Sequence, residues 1–160
     1  MKKLYLAGPD VFLPNAAAHG EALKKVCLAH GYEGLFPLDN QVPPAPPAEM
    51  AAAIRKANVE LIRRADGVIA NLSPFRGPEP DSGTVWETGF AQGLGKPVVA
   101  WSSDRRSLKE RTVAMLGLPD GAERDREGLA IEDFGLSHNL MFAHLVVADS
   151  FEGCFPFFRW

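Results

Sequence analysis

Short apolar runs alternate with longer helix-type patterns along the chain, and only a few folds accommodate that order. Residues 66–72 (DGVIANL) place β-branched side chains between polar ones, which predicts a buried parallel strand. Similar runs predict strands at residues 3–7, 34–37 and 97–101, and residues 145–148 are typical of a strand or a helix segment. This order indicates an α/β fold with a doubly wound parallel sheet, in a single domain over residues 1–160.

Helical periodicity fills the intervals between these strands. Residues 16–30 and 47–64 carry apolar side chains at helical spacing and predict two helices. A third helix is expected after the long loop that follows the DGVIANL strand, with Trp86, Phe90 and Leu94 as its apolar stripe. The helices are long enough to cover both faces of a sheet.

Composition is that of a single enzyme-sized domain. With 160 residues, 46% of them hydrophobic, the chain can bury a core without disulfides or metals. A formal charge of -3 and the lack of a long basic run argue against nucleic acid as a partner. Cys27 and Cys154 lack metal-type spacing and are expected to be reduced thiols. No signal-peptide or membrane-spanning run is visible, so a cytoplasmic location is expected.

Asp81 and Glu87 stand six residues apart between the third strand and the third helix. Because ligands of open α/β sheets bind at the carboxyl ends of the strands, this carboxylate pair is a candidate active site. The positive end of the helix is expected to keep Glu87 ionised, as a nucleophile that attacks an anomeric carbon requires. Alternatively, Asp81 is only an N-cap and Glu87 an ordinary first-turn acid. The proline-rich residues 42–47 are either a loop over the crevice or a linker.

Four segments resemble the nucleoside 2-deoxyribosyltransferases, and they occur in that family's order. They are YLAGPDVF at residues 5–12, PLDNQ at 37–41, DGVIANLSPFRGPEPDSGTVWETGFA at 66–91 and NLM at 139–141. The resemblance implies a flavodoxin-like domain of about five strands that transfers 2-deoxyribose between purine or pyrimidine bases. It also implies no metal or redox cofactor, and a homo-oligomer in which a neighbouring subunit completes each active site.

By this resemblance, Glu87 is the nucleophile and the Tyr5 hydroxyl orients it. A neutral phenol suits that task because it can donate a hydrogen bond to a carboxylate. Asp81 is expected to contact the deoxyribose hydroxyls or to assist proton transfer to the base, and Gly8 and Gly83 to contact the substrate. Without the family, Tyr5 would be a core residue whose hydroxyl has found a partner.

The resemblance places Gln41 and Asn58 against the nucleobase, since a carboxamide can both donate and accept hydrogen bonds. Some relatives carry an aspartate where this chain has Asn58, which leaves the proton donor to the leaving base open. Asn139 and Met141 are expected to reach into the pocket of a neighbouring subunit. Taken alone, these four would pass as loop, exposed helix or core residues.

The main rival function is hydrolysis of deoxynucleoside 5'-monophosphates. Asp10, in the loop after the first strand, would repel a phosphate a few ångström away by about 1 to 4 kcal/mol, which favours a free nucleoside. Arg76 either binds a phosphate or pairs with Glu79 or Asp81. A non-catalytic nucleoside sensor is a third hypothesis, and Glu87 argues against it. The predicted function is therefore base exchange through a covalent deoxyribosyl-glutamate intermediate.

The chain ends in an aromatic segment, FPFFRW, at residues 155–160. These side chains would be costly to leave in water, so burial near the site or in a subunit contact is expected. In the first case the terminal carboxylate could also approach the active site.

Overall fold

Five parallel strands form one sheet in the computed structural model of the protein, which describes residues 1–160. The strands are β1 (Lys2–Ala7), β2 (Tyr32–Leu35), β3 (Gly67–Asn71), β4 (Val98–Trp101) and β5 (Val147–Ala148). Their spatial order is β2-β1-β3-β4-β5, and every neighbouring pair is parallel. This arrangement confirms the predicted doubly wound, flavodoxin-like α/β fold.

Four α-helices flank the sheet. They are α1 (Ala16–Ala29), α2 (Pro47–Arg64), α3 (Ser82–Gly93) and α4 (Leu108–Leu116). Four 3-10 helical turns supplement them, at Pro9–Phe12, Pro37–Asp39, Leu140–Phe142 and Glu152–Phe157. None of the four α-helices combines the length and the apolar character needed to span a bilayer.

The period-two alternation of the strands divides the core between two faces of the sheet. Tyr5 on β1 packs on one face with Leu61 of α2 and Ala91 of α3. Leu4, the preceding residue, packs on the opposite face with Cys27 of α1. All five residues of β3 are buried, as expected for a central parallel strand covered on both sides.

Two of the predicted elements differ from the structure in detail. β2 begins and ends two residues earlier than predicted, because Pro37 has no N–H for the sheet and instead begins a 3-10 turn. Of the predicted stripe of α3, Phe90 packs against the core, whereas Trp86 and Leu94 are exposed. The buried side chains of α3 are Thr84, Thr88 and Ala91.

One helix, α4, was not predicted. Its sequence signal is a capping box, in which the Ser107 side chain accepts from the Glu110 N–H and the Glu110 carboxylate accepts from the Ser107 N–H. Gly117 ends the helix with a left-handed backbone (φ 59°), a conformation that suits glycine.

The aromatic tail packs on its own chain, at a distance from the expected site. Phe155 and Phe158 are buried on the α1 side of the sheet. Trp160 lies over Lys2 and close to Gly67, the residues at which β1 and β3 begin. The expectation that the terminal carboxylate approaches the site is therefore wrong within one chain, because the tail runs to the amino edge of the sheet.

Candidate active site

A cleft of about 490 Å³ opens at the carboxyl ends of the strands. In the order β2-β1-β3, the chain moves from β1 to one side for β2 and to the other side for β3, so the switch point lies between β1 and β3. The cleft is formed by the segments that follow β1 and β2, by one side of α2, and by the beginning of α3. Ligands bind at such switch points because the loops there diverge and leave a crevice.

The elements that line the cleft differ in polarity. The start of α3 supplies the polar residues Asp81, Thr84 and Glu87, and these three together with Gly8 are called the polar end. The apolar side chains come from α2, from the segment before it and from the turn after β1, and they are Leu38, Val42, Met50, Ile54, Ala57, Val11 and Phe12. An apolar ring and a hydroxylated group, joined in one ligand, match this lining.

Glu87 occupies the centre of a hydrogen-bonded triad at the polar end. The Tyr5 hydroxyl donates to Glu87 Oε1 at 2.7 Å, and Asn58 Nδ2 donates to the same oxygen at 3.3 Å. Tyr5 comes from β1, Asn58 from α2 and Glu87 from α3, so only the folded chain brings them together. Both donors engage Oε1, which leaves Oε2 without a protein donor.

Burial raises the pKa of Glu87 to about 7, although the hydrogen bonds from Tyr5 and Asn58 act in the opposite direction and Asp81 adds a further increase. The sequence-based expectation was a carboxylate held ionised by the helix N-terminus. With a pKa of about 7 the carboxyl is only partly ionised at neutral pH, because burial disfavours the charged form. Burial, reinforced by the Glu87 charge, also raises the pKa of Tyr5, which keeps the phenol protonated as a donor.

Asp81 is the N-cap of α3 and also a lining residue of the cleft. Its Oδ2 accepts from the Thr84 N–H at 2.9 Å and from Thr84 Oγ1 at 3.0 Å, so it is the N-cap of α3. It also lines the cleft. Both hydrogen bonds go to Oδ2, which leaves Oδ1 available to a ligand.

Asn58 carries the one buried side-chain oxygen or nitrogen in the chain that has no hydrogen-bond partner, its carbonyl oxygen Oδ1. A buried acceptor without a partner is destabilising by about 1–3 kcal/mol and is rare in folded proteins. Since Asn58 lines the cleft, the geometry fits a ligand that donates a hydrogen bond at this point.

The other residues expected to bind substrate divide into two groups. Gly8 and Gly83 line the cleft. Gly8 must be glycine, because a Cβ there would lie 2.3 Å from Asp10 Oδ2 and 2.9 Å from Asn71 Cβ.

Gln41 is exposed and does not line the cleft, whereas its neighbours Asn40 and Val42 do. Of the proline-rich residues 42–47, Val42 alone lines the cleft.

Arg76, Asn139 and Met141 lie outside the cleft of their own chain. The Arg76 guanidinium lies over the rings of Phe12 and Phe75, 5.3 and 4.6 Å from their centroids, and forms no ion pair. Its backbone has a positive φ of 55°, which is rare for a residue other than glycine.

Asn139 Nδ2 donates to Glu132, and 71% of Met141 is exposed. An exposed Met141 is compatible with a contact to a second subunit, which stays a prediction.

Several residues of the cleft were missed from sequence. Thr84 and Asn40 line it, and so do Met50 and Ile54. The signal for the last two was the apolar stripe of α2, which continues from the core residue Leu61 toward the amino end of the helix. The stripe predicts a helix but not a cleft, because periodicity does not distinguish a core face from the wall of an apolar cleft.

None of the residues that line the cleft is a histidine. His138 is buried outside the cleft, where its Nε2 donates to the Leu72 carbonyl at 2.8 Å and burial lowers its pKa. No group of three or more His, Cys, Asp and Glu side chains is placed to hold a metal ion.

Fold and site together define an α/β protein of flavodoxin-like topology with a small-molecule cleft at its switch point. Comparison with known proteins makes the assignment more specific. The chain belongs to the nucleoside 2-deoxyribosyltransferase family, whose sequence model matches residues 4–141. The family is enzymatic and acts on deoxynucleosides and nucleobases.

Individual relatives agree with this assignment. The chain is 38% identical to a 2-deoxyribosyltransferase from Leishmania mexicana, with a TM-score of 0.80 over 99% of this chain and 97% of that one. A 2-deoxyribosyltransferase from Bacillus psychrosaccharolyticus is 30% identical, with a TM-score of 0.52 over 63% of this chain and 72% of that one. An uncharacterized protein of Schizosaccharomyces pombe is 34% identical over 86% of this chain and 74% of its own length.

Proposed function

We propose that the protein is a nucleoside 2-deoxyribosyltransferase, which exchanges the base of a 2'-deoxynucleoside through a covalent intermediate on Glu87. The observation that carries this proposal is the asymmetry of the Glu87 carboxylate. Its Oε1 is fixed by Tyr5 and Asn58, whereas Oε2 has no protein donor. A carboxylate anchored by one oxygen presents the other as a positioned nucleophile.

In the first step, Glu87 Oε2 forms a bond to C1' of the deoxynucleoside as the glycosidic C–N bond breaks. The electron pair of that bond goes to the base nitrogen, which takes up a proton from solvent as the base leaves. The attacking carboxylate must be ionised, so a carboxyl with a pKa of about 7 is poised between its two states at neutral pH. A developing oxocarbenium charge beside it favours the ionised form.

In the second step, a nitrogen of the acceptor base attacks C1' and the ester bond to Glu87 breaks. The acceptor nitrogen loses its proton, and the carboxylate is restored. Water in place of the acceptor gives slow hydrolysis as a side reaction. Without a 2'-hydroxyl the oxocarbenium-like transition state is easier to reach, so ribonucleosides are expected to react poorly.

The cleft suggests how the substrate lies. The base fits between the apolar side chains that include Leu38 and Ile54, and the sugar fits against Gly8, Asp81 and Glu87. Asn58 also lines the cleft, and its unpartnered oxygen is proposed to accept a hydrogen bond from a substrate N–H or O–H group. Asp81 Oδ1 is proposed to accept from a deoxyribose hydroxyl.

Two further features belong to the proposal. The exposed Asn139 and Met141 segment is proposed to complete the cleft of a second subunit in a homo-oligomer. A cytoplasmic location is proposed because Cys27 and Cys154 are unpaired thiols, typical of a reducing compartment.

Product analysis tests the proposal. The protein is incubated with deoxyinosine and adenine, with deoxyinosine alone, and with deoxyinosine 5'-monophosphate. Wild type is expected to form deoxyadenosine, and Glu87→Gln to lose roughly a thousandfold or more of this activity. Asp66→Asn is the matched control, because it removes the same charge at the opposite edge of the sheet. Mass spectrometry without acceptor is expected to show Glu87 carrying a deoxyribosyl group.

Other products would replace the proposal by one of its rivals. Release of deoxyribose phosphate from the monophosphate alone would indicate a hydrolase of nucleotides. Binding of deoxyinosine without turnover on a wide panel of bases, with the same affinity in Glu87→Gln, would indicate a sensor.

A further inference from the structure

Both α-helices that begin near the sugar end of the cleft meet a carboxylate of this chain at their amino ends. Asp81 caps α3, as described above. Asp10 follows β1, and its Oδ1 lies 3.1 Å from Nε2 of His19, a residue in the first turn of α1. Helix amino ends at the switch point of an α/β sheet are where phosphates bind, because the dipole and free N–H groups attract anions. Here Asp81 occupies that position at α3, and Asp10 lies beside the first turn of α1 through its contact with His19.

The Asp10 carboxylate is held in place rather than free to swing away. Its Oδ2 accepts from Asn71 Nδ2 at 3.0 Å, and Asn71, which ends β3, is itself fixed by accepting the Ser73 N–H at 3.1 Å. The Asp10 side chain is 14% exposed. It therefore remains largely out of water, where screening of its charge is weaker than on the surface.

Gly8 connects this carboxylate to the cleft. Gly8 lines the polar end, and a Cβ placed on it would come within 2.3 Å of Asp10 Oδ2. Gly8 has no side chain, so only its backbone lies between the Asp10 carboxylate and the part of the cleft assigned to the sugar. A phosphate on the 5' carbon would extend from this end of the cleft and meet the negative charges of Asp10 and Asp81.

We propose that Asp10, held by Asn71 and His19, is a specificity-determining residue that restricts the cleft to nucleosides with a neutral 5'-hydroxyl and rejects nucleoside 5'-monophosphates. This inference rests on the proposed function for the placement of the sugar. Arg76 acts in the opposite direction. Its guanidinium has no acidic partner and would attract a phosphate, but it lies over Phe12 and Phe75 and not at Gly8.

The test compares equilibrium binding of deoxyinosine and deoxyinosine 5'-monophosphate by calorimetry. The measured quantity is the ratio of the two dissociation constants, monophosphate over nucleoside. Wild type is expected to give a ratio well above one, which falls as added salt screens the repulsion. Asp10→Asn keeps the size of the side chain and removes its charge, so the ratio is expected to fall roughly tenfold or more. Asp66→Asn, with the same change in net charge, is expected to leave the ratio unchanged.

Three outcomes would overturn the inference. They are a wild-type ratio near one, a wild-type ratio that does not respond to salt, and an equal fall of the ratio in Asp10→Asn and Asp66→Asn. The first two need no variant, so the test stands even if Asp10→Asn folds poorly. Thermal melting of each variant establishes whether it folds.

Failure of this inference is distinguishable from failure of the proposed function. Dissociation constants do not depend on turnover, so a protein that binds deoxyinosine but transfers nothing would contradict the proposed function alone. Efficient base exchange with equal affinity for nucleoside and monophosphate would contradict the role of Asp10 alone.

Discussion

Two carboxylates at opposite edges of the sheet respond to folding in opposite ways. Glu87, at the carboxyl edge, accepts hydrogen bonds from Tyr5 and Asn58, yet burial raises its pKa to about 7. Asp66, at the amino edge, accepts from the Lys3 N–H at 2.7 Å and pairs with Lys2, and its pKa is lowered, chiefly by the backbone hydrogen bond. Each accepts two hydrogen bonds, so their number does not explain the difference.

Solvation explains why the pKa values of the two carboxyl groups shift in opposite directions. Asp66 remains open to water, with 36% of its side chain exposed, so its ionised form keeps most of its hydration. The Glu87 side chain is buried against Tyr5 of β1 and Asn58 of α2. Its ionised form loses hydration there, and the hydrogen bonds from these two neutral donors replace that hydration only in part. The comparison indicates that burial in the cleft disfavours the ionised form of Glu87, whereas hydrogen bonds to a hydrated carboxylate favour the ionised form of Asp66. Perturbed carboxyl groups in a cleft are typical of active sites.

The largest expected effect concerns two arginines, which extend the comparison to buried and exposed cations. Arg111 is fully buried and donates to the carbonyls of Pro78 at 3.1 Å, Arg106 at 2.7 Å, Asp104 at 3.1 Å and also Ser137. Substitution Arg111→Met leaves these carbonyls without a donor and is expected to lower the free energy of unfolding by about 4 kcal/mol. Urea denaturation monitored by circular dichroism measures this free energy for wild type and for the variant.

Arg106 is the control for this prediction. It forms an exposed ion pair with Asp104 at 2.6 Å, so Arg106→Met is expected to change the stability far less. If the two variants were equally stable, burial of Arg111 would contribute nothing to the order of the loops at the carboxyl edge.

The next effect is a pair of opposite pH dependences. Because the folded-state pKa of Glu87 is raised from 4.5 to about 7, its stabilising contribution is present below pH 4.5 and is lost as the pH rises to about 7. The stability of wild type relative to Glu87→Gln is therefore expected to fall by up to about 3 kcal/mol over that interval. Asp66 has a lowered pKa, so its contribution is present above pH 3.8 and is lost as the pH falls through its folded-state pKa.

Free energies of unfolding at a series of pH values check both slopes. Wild type is compared with Glu87→Gln for one carboxyl and with Asp66→Asn for the other. Slopes of the same sign would mean that burial does not control the Glu87 carboxyl.

The smallest expected effect concerns the two tyrosines. Tyr5→Phe removes the 2.7 Å hydrogen bond to Glu87, which is worth about 1.5–3 kcal/mol for a charged acceptor, so kcat is expected to fall about 10- to 100-fold. The donor lowers the pKa of Glu87, so its loss is expected to shift the acid limb of kcat/KM to higher pH. Initial rates of base exchange between pH 5 and 9, chosen about two pH units on either side of neutrality, measure both changes.

Tyr32→Phe is the matched control at the amino edge, where the Tyr32 hydroxyl accepts from Trp160 Nε1 at 3.3 Å. It is expected to leave the pH profile unchanged. An unshifted profile in Tyr5→Phe would show that the phenol packs in the core without tuning the nucleophile.

Sequence reasoning predicted the fold well because its signals are local. The DGVIANL run identified β3, and the periodicity of residues 47–64 matches α2 from end to end. The misses have local causes too. Pro37 ended β2 early, and α4 was overlooked although its Ser107 capping box is visible in the sequence. The buried face of α3 was misjudged because its threonines pack as core residues while Trp86 stays exposed.

The sequence by itself determined the order of the first four strands and the first three α-helices, the family, and the two candidate carboxylates, because periodicity and motifs depend on neighbours along the chain. Tertiary structure alone decided that Tyr5 and Asn58 meet one oxygen of Glu87, and that Asp10 is held behind Gly8. It also decided the protonation of Glu87. The physical reason is that solvation and hydrogen bonding depend on groups brought together across the sheet, and these groups are 29 and 82 residues from Glu87 in sequence.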